Sequence, residues 1–320
     1  MKSQSKLNKT FRFMEKKSVF VVVVIMFRLV LEAGYLLYVS PVYRYAGFIL
    51  DFSSIKYFES WLIFVFLIYL APYALKKPSD FFILMLFLGL IVPLLSLYAY
   101  ANESRFTVYV VLLGYLLLNY IRKGRPLVNF RIVRDGVALA LGLSMGGALL
   151  VSFWFIFSEA IAYFNLDLVK VYEFRDITGD VINVGPMGYI NTWAVKVFGP
   201  FLLAFGLLRK NYKLAIFAIG LHVFWFGVTA HKAVLFYPLL IVFLWFYFQR
   251  TKALSLLPVS YFILIIVVLS IYLIIDYSLP ASLFLRRVFY VIARNTFDYY
   301  IFFDSEPFVY WSNSITSNFI

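Results

Sequence analysis

Long runs of apolar residues alternate with short polar stretches along almost the whole chain. Nine of these runs approach the ~20 residues that a helix needs to cross a hydrocarbon core of ~30 Å. They cover residues 19–39, 58–75, 81–100, 106–121, 136–164, 190–208, 212–230, 233–248 and 256–275. Because backbone polar groups in a bilayer must be hydrogen-bonded within the protein, the pattern predicts an all-α, polytopic helix bundle with about nine transmembrane spans.

Basic residues are concentrated in alternate connections between these runs. The N-terminal segment and every second loop carry 18 of the 29 Lys and Arg residues, with clusters at 2–17, 76–77, 122–134, 209–213 and 250–252. Short loops rich in Lys and Arg stay on the cytoplasmic side of a membrane. The N-terminus is therefore predicted to be cytoplasmic and the segment after residue 275 to be outside.

This topology divides the chain into three parts. Residues 1–18 form a basic cytoplasmic N-terminus, residues 19–275 a transmembrane domain, and residues 276–320 an outer-face segment that is amphipathic and aromatic. A polar, turn-rich outer loop is predicted at 165–189. In the last part, Arg287, Val291, Arg294 and Asp298 recur at helical spacing. This spacing predicts a helix at the membrane interface, or a surface helix attracted to anionic lipid.

Composition narrows the possible functions. A chain with 63% hydrophobic and 14% charged residues is not a soluble globular domain. The net charge of +13 is mostly accounted for by the short cytoplasmic loops, which argues against nucleic-acid binding. Without cysteine the chain has no disulfide, thiolate metal site or cysteine nucleophile, and no other metal-ligand spacing is present. The first apolar run lacks a cleavage site and is interpreted as an uncleaved helix.

Cations on the predicted outer side run against the usual charge bias. The residues concerned are Arg175, Lys232, Arg286, Arg287 and Arg294, and Lys232 has no acidic neighbour in its short loop. Arginine suits bidentate phosphate contacts and lysine supplies a point charge, so together they indicate an anion site. The alternative is that Arg175 pairs with Glu173 or Asp176, and that Arg294 pairs with Asp298, as ordinary solvated ion pairs.

Acidic residues give weaker signals. Glu173 and Asp298 are candidates for a general base on the outer side, although nothing in their spacing selects either. Arg28 and Glu32 lie one helical turn apart inside the first span. Ionisable residues in a membrane are functional candidates, and the alternative is a mutually neutralised structural pair.

Several stretches of this sequence are similar to those of a known family. The stretches are Tyr172–Arg175 with Tyr189, Trp193, Lys196 and Pro200 after it; Gly227–Lys232; Arg286–Phe289; Phe297–Phe303; and Tyr310–Ser314. In order and predicted membrane placement they resemble the O-antigen (Wzy-type) polymerases, the oligosaccharide repeat-unit polymerases of bacterial surface polysaccharides. Members usually continue with further spans, so the resemblance implies that this chain lacks the C-terminal part.

The resemblance implies a glycosyltransferase in the bacterial plasma (inner) membrane. Such enzymes join undecaprenyl-pyrophosphate-linked repeat units into O-antigen or capsule at the outer leaflet, and undecaprenyl pyrophosphate leaves. It implies no cofactor, nucleotide sugar or metal, and it implies a chain-length regulator and a flippase as partners. By the same resemblance, Arg175, Lys232, Arg286 and Arg287 would hold the pyrophosphate and stabilise its developing charge.

Two other functions fit the same sequence features. One is another polyprenyl-phosphate-dependent glycosyltransferase or ligase. The other is a flippase or transporter of lipid-linked oligosaccharide, for which broken or repeated spans around polar residues at the midplane would be typical. Here the polar residues are concentrated in the outer loops, and the pair Arg28–Glu32 is the main exception.

The predicted topology has a direct test. A reporter fused after Lys123 should be active in the cytoplasm, whereas one fused after Asp180 should be active outside, because the basic loops stay inside. Paired phosphatase and fluorescent-protein fusions at both positions would measure this. The reverse pattern would contradict both the orientation and the outer-face anion site.

Overall fold

The computed structural model describes residues 14–124, 133–167 and 171–305, except for the side chains of 171–173, 176, 177 and 305. Most of the predicted N-terminal segment, the end of the predicted outer segment and the stretch 310–314 of the family resemblance lie outside these residues.

The described residues are almost entirely helical. The long helices are α1 (Lys17–Ala46), α2 (Ser54–Leu70), α3 (Pro78–Tyr100), α4 (Arg105–Lys123), α5 (Gly136–Phe157), α6 (Val171–Ile182), α7 (Met187–Leu208), α8 (Tyr212–Thr229), α9 (Lys232–Arg250), α10 (Leu256–Ile275) and α11 (279–305). A short 3₁₀ turn occupies Glu159–Tyr163. No strand is formed in this part of the chain, and its β pairing is one isolated bridge between Ala74 and Ala253. The prediction of an all-α polytopic bundle is confirmed.

Eight of the helices are long and apolar enough to cross a membrane, among the residues described. They correspond to eight of the nine predicted spans. The remaining span, predicted at 58–75, is the 17-residue helix α2, which ends earlier because Ala71 is extended and precedes Pro72. The span predicted at 136–164 also ends early, at Phe157. Ser158 adopts an extended backbone there, and its hydroxyl donates to the carbonyl of Phe155.

The helices form two compact units. Unit 1 comprises 1–126 and 252–320 and therefore holds α1–α4, α10 and α11. In it, α1 packs against α10 and α2 packs against α3. Unit 2 comprises 127–251 and holds α5–α9, with α7 and α8 in extensive contact around the buried Trp225.

Helix α6 lies inside the stretch that the sequence predicted as a turn-rich loop. Its end is fixed by neighbouring helices of unit 2. The indole of Trp154 in α5 and the side-chain amide of Asn191 in α7 both donate to the carbonyl of Ile182, at 3.2 and 2.6 Å. Because the last carbonyls of a helix have no partner within the helix, these two contacts stabilise the end of α6. The loop prediction missed this helix because its termination depends on residues far along the chain.

Three prolines are each preceded by a short segment in which the helix changes to π-helical hydrogen bonding. Pro41, Pro93 and Pro200 each follow, after one residue, a five-residue π-helical turn: Tyr35–Val39, Phe87–Ile91 and Ala194–Phe198. Proline has no N–H to donate and crowds the carbonyl four residues earlier. The hydrogen-bonded turn of the helix before it therefore widens locally to the i→i+5 pattern. A π turn inserts an extra residue and rotates the side chains before it relative to those after it.

A buried ion pair fastens α1 to α2 in unit 1. The Arg28 guanidinium donates to Glu32 at 2.7 Å, to the Ser60 carbonyl at 2.9 Å and to the Ser60 hydroxyl at 2.6 Å. It also stacks over the rings of Trp61 and Phe64. The pair is fully enclosed and engaged by the protein, which favours the structural interpretation of Arg28–Glu32 over a substrate site at this depth.

Helix α11 packs its apolar side against the other helices of unit 1. Leu285, Phe289, Tyr290, Ala293 and Phe297 are buried, and they recur at helical spacing. The hydroxyl of Tyr290 donates to the carbonyl of Leu31 at 2.7 Å. The placement of α11 at the outer membrane face stays a prediction.

The Arg28–Glu32 pair should be the most sensitive polar contact of unit 1. Replacing Glu32→Ala leaves a buried guanidinium without its counter-ion and should lower the free energy of unfolding by about 3–5 kcal/mol. The double variant Arg28→Leu/Glu32→Leu should recover part of that loss, because it removes both charges. Unfolding in mixed micelles measures these changes.

A matched control is Asp298→Ala, which removes the half-exposed partner of Arg294 in α11. An exposed i,i+4 pair contributes about 0–1 kcal/mol, so this variant should change little. Equal effects for Glu32→Ala and Asp298→Ala would contradict the structural importance of the buried pair.

Candidate functional site

Unit 2 contains a cavity of about 330 Å³ between the ends of four helices. Its wall is formed by the end of α6, the first turns of α7, the end of α8 and the start of α9. The polar residues that line it are Asn183, Asn191, Thr192, Lys196, Thr229, His231 and Tyr237, and its apolar wall is formed by Ile182, Val195, Ala233 and Val234. No Asp or Glu is among these lining residues.

A tight reversal of the chain brings His231 to the cavity. Helix α8 ends at Thr229, and Ala230 takes a left-handed conformation with φ of 54° and donates its N–H to the Phe226 carbonyl. His231 is then extended, and its N–H donates to the Thr229 hydroxyl at 3.4 Å before α9 begins at Lys232. A left-handed residue other than glycine is strained, so the surrounding packing must hold this turn in place.

The π turn before Pro200 carries a lysine that lines the cavity. Lys196 lies in the middle of Ala194–Phe198, and Thr192 lies four residues earlier in α7. Both residues line the cavity, as does Val195. Lys196 is exposed and forms no hydrogen bond or ion pair with the described residues. Lys196 belongs to the stretches that resemble the family, but it was not among the predicted binding residues.

The electrostatics of the cavity favour an anion. Burial lowers the pKa of His231 below its usual value, and the positive charges of Arg175 and Lys196 lower this pKa further. The imidazole is therefore neutral at pH 7 and lies in a positive field without a neighbouring carboxylate among the cavity residues. An anionic ligand would reverse this effect, because a nearby negative charge favours the protonated imidazole.

Two of the four predicted pyrophosphate ligands belong to unit 2. Arg175 lies in α6 with an exposed side chain and acts electrostatically on His231. Lys232 is half-buried and directly follows His231 at the start of α9. The structure thus brings Arg175 to the same electrostatic environment as Lys196 and His231. The side chains of Glu173 and Asp176 lie outside the described set, so their pairing with Arg175 stays untested.

The other two predicted ligands, Arg286 and Arg287, lie in α11 of unit 1. The Arg286 guanidinium stacks over the ring of Tyr43 at 3.9 Å, and its side chain is half-buried. The hydroxyl of Tyr43 lies 3.1 Å from that of Tyr38, which donates to the Ser278 carbonyl. Arg287 is exposed. The prediction that Arg175 and Lys232 share one cavity with at least one of Arg286 and Arg287 stays a prediction, since these residues are divided between the two units.

Arg294 has a structural role instead. It binds Glu103 at 2.5 Å, Asp298 at 2.8 Å and the Gly47 carbonyl at 3.1 Å. Burial raises the pKa of Glu103, and the charge of Arg294 partly offsets that rise. These contacts agree with the predicted pairing of Arg294 with Asp298. Asp298 would have to give up this ion pair to act as a general base.

Protein-family models, curated proteins and solved structures were compared with this chain, and none of them matches it. The fold itself defines the chain as a multi-pass α-helical membrane protein.

The lowered pKa of His231 predicts how anion binding depends on pH. Sulfate suits the test because its charge is constant over the relevant range. Since the bound anion raises the pKa of His231, binding takes up a proton and should strengthen as the pH falls from about 7.5 to about 5.5. The gain should approach roughly tenfold for each unit by which the bound anion raises this pKa.

Sulfate titrations of the purified protein in detergent at several pH values would measure this dependence. His231→Gln should bind sulfate with an affinity that changes little over the same range. An identical pH dependence in the two proteins would show that another group is responsible.

Proposed function

We propose that this chain polymerises undecaprenyl-pyrophosphate-linked oligosaccharide repeat units at the outer leaflet of a bacterial plasma membrane. The observation that supports this most is the basic cavity of unit 2, where Lys196 and His231 lie beside hydroxyl and amide groups. Under the predicted topology, the ends of α7, α8 and α9 that form it face outward. A sugar pyrophosphate carries an anionic group, which Lys196 can bind. It also carries sugar hydroxyls, which the hydroxyl and amide side chains can bind.

The reaction exchanges one bond at the anomeric carbon for another. A hydroxyl oxygen of the non-reducing-end sugar of the acceptor unit forms a bond to the anomeric carbon of the growing glycan. The bond from that carbon to the pyrophosphate oxygen breaks, and undecaprenyl pyrophosphate leaves with the electron pair. The hydroxyl proton passes to a base. No net oxidation occurs, so the chemistry requires charge stabilisation and proton transfer alone.

The cavity side chains, and the two cations Arg175 and Lys232 near His231, suit these two requirements. Arg175 and Lys196 would stabilise the negative charge that develops on the leaving pyrophosphate. Lys232, beside His231 in the same reversal, would add to that field. His231 is the lining residue able to accept the hydroxyl proton, because burial and the nearby cations favour its neutral imidazole and the charge of the pyrophosphate favours the proton once it has been accepted. Asn183, Thr192 and Tyr237 supply groups that hydrogen-bond sugar hydroxyls.

Replacing Lys196→Gln tests the proposal in cells. The gene would be deleted from its own host, and the wild-type chain or a variant would be supplied in return. One charge-assisted contact to the leaving pyrophosphate contributes about 1.5–3 kcal/mol, so the rate of polymerisation should fall roughly 10- to 100-fold. Gel analysis of the surface glycan should show single repeat units in place of a ladder.

Lys210→Gln is the matched control, because Lys210 is an exposed lysine just after the other end of α7. It should leave the ladder and the protein level unchanged. A normal ladder with Lys196→Gln would contradict the role of the cavity. If cells without the gene accumulate lipid-linked units on the cytoplasmic leaflet, the protein would instead be a flippase.

A further inference from the structure

One side-chain oxygen in the wall of the unit 2 cavity accepts no hydrogen bond from the described residues. It is Oδ1 of Asn191, a residue that lines the cavity and is only 5% exposed. A buried acceptor that has lost water and gained no donor in return destabilises the structure. A molecule in the cavity that donates a hydrogen bond to this oxygen would remove that cost.

The orientation of the Asn191 amide is fixed by its nitrogen. Nδ2 donates to the carbonyl of Ile182 at 2.6 Å and lies 3.5 Å from the side-chain oxygen of Asn183. Turning the amide over would place its oxygen against these two acceptor oxygens, and none of the three could donate. The nitrogen is therefore held toward the end of α6, and Oδ1 remains the acceptor that needs a donor.

The cavity wall around Asn191 combines apolar groups with hydrogen-bond donors. Val195 lies four residues after Asn191 in α7, and it lines the cavity together with Val234 of α9. The side chains of Lys196 and Tyr237 line the same cavity and can donate hydrogen bonds. One volume of about 330 Å³ is therefore bordered by an acceptor, by donors and by an apolar surface.

An acylamino group on a sugar matches this combination. Its N–H is a donor for Asn191, and its carbonyl oxygen can accept from a lysine or a tyrosine. Its methyl group can bury apolar area against the valines of the wall. A sugar hydroxyl at the same place could also donate to Asn191, but it has no methyl group to cover the apolar surface. The lining thus favours the acylamino group over the hydroxyl.

We propose that Asn191 is a specificity-determining residue that selects a sugar carrying an acylamino group, such as an N-acetyl amino sugar. The N–H of that group would donate to Oδ1. The inference deepens the proposed function and rests on it for the expectation that a sugar enters the cavity. A sugar without this donor would leave the buried oxygen unpaired and would bind more weakly.

Sugar binding to the purified full chain tests this inference. Methyl glycosides of glucose and galactose would each be compared with the 2-acetamido form and with the 2-(N-methylacetamido) form, which lacks the N–H. NMR titration in a detergent without a sugar head group would give the dissociation constants. In at least one of the two series, the wild type should bind the acetamido form on the order of tenfold more tightly than the other two forms.

Two substitutions separate sugar recognition from the stability of α6. Asn191→Leu removes the acceptor oxygen together with one donor to the Ile182 carbonyl, and it should abolish the preference for the acetamido form. Trp154→Phe is the matched control, because it removes the other donor to the same carbonyl and leaves Asn191 in place. The control should keep the preference, although both variants should lower the unfolding temperature.

Several results would overturn the role of Asn191 and leave the polymerase proposal standing. One is a wild type that fails to prefer the acetamido form over the N-methylacetamido form in both series, or that binds neither. A second is a preference for the parent hydroxyl sugars. A third is a preference that survives Asn191→Leu or is lost equally in Trp154→Phe, because the acceptor oxygen would then not be its source.

The converse result separates the two proposals in the other direction. A preference for the acetamido form that requires Asn191 would support the selection of an acylamino sugar. If the same purified protein then forms no polymer from lipid-linked repeat units that contain an N-acetyl amino sugar, the sugar site stands and the polymerase activity is contradicted.

Discussion

The need to satisfy every polar group inside a hydrocarbon layer governs this structure. Backbone groups are satisfied by forming helices, and where proline removes a donor the helix widens into a π turn and continues. Several buried side chains are also hydrogen-bonded within the protein. The Arg28 guanidinium is enclosed with Glu32 and Ser60, and the last carbonyl of α6 receives Trp154 and Asn191.

Because buried polar groups are generally expected to have partners, cations without one can be compared with cations that have one. Several cations that the structure describes have a carboxylate or a carbonyl nearby, as Arg28 and Arg294 have. Lys196 in unit 2 and Arg286 in unit 1 do not, and both are held by defined local features: a proline-linked π turn and a stacked tyrosine. Lys196 is exposed, so its assignment to an anionic ligand is a proposal that depends on its place in the cavity and not on its lack of a partner.

The same reasoning separates residues that look alike in the sequence. Arg286, Arg287 and Arg294 belong to one helix and one basic pattern. In the structure, however, Arg294 forms an ion pair with Asp298, whereas Arg286 stacks on the Tyr43 ring. Likewise His231 lies at the cavity because Ala230 adopts a left-handed turn. The environment of Arg294 arises from a contact with Glu103, more than a hundred positions away, whereas the turn at Ala230 is held by a local hydrogen bond to the Phe226 carbonyl.

The sequence by itself determined the helical, multi-pass class and the approximate spans, because hydrocarbon thickness and backbone hydrogen bonding permit few alternatives. It also identified Arg175, Lys232, Arg286 and Arg287 as unusual cations, from their conflict with the charge bias of the loops. The ends of α2 and α5 follow local features, at Pro72 and Ser158. The tertiary structure alone decided how the end of α6 is held and that Lys196 and His231 line one cavity. Those features depend on turns and side-chain contacts between distant segments, and a linear pattern of hydrophobicity and charge contains no record of which distant residues meet.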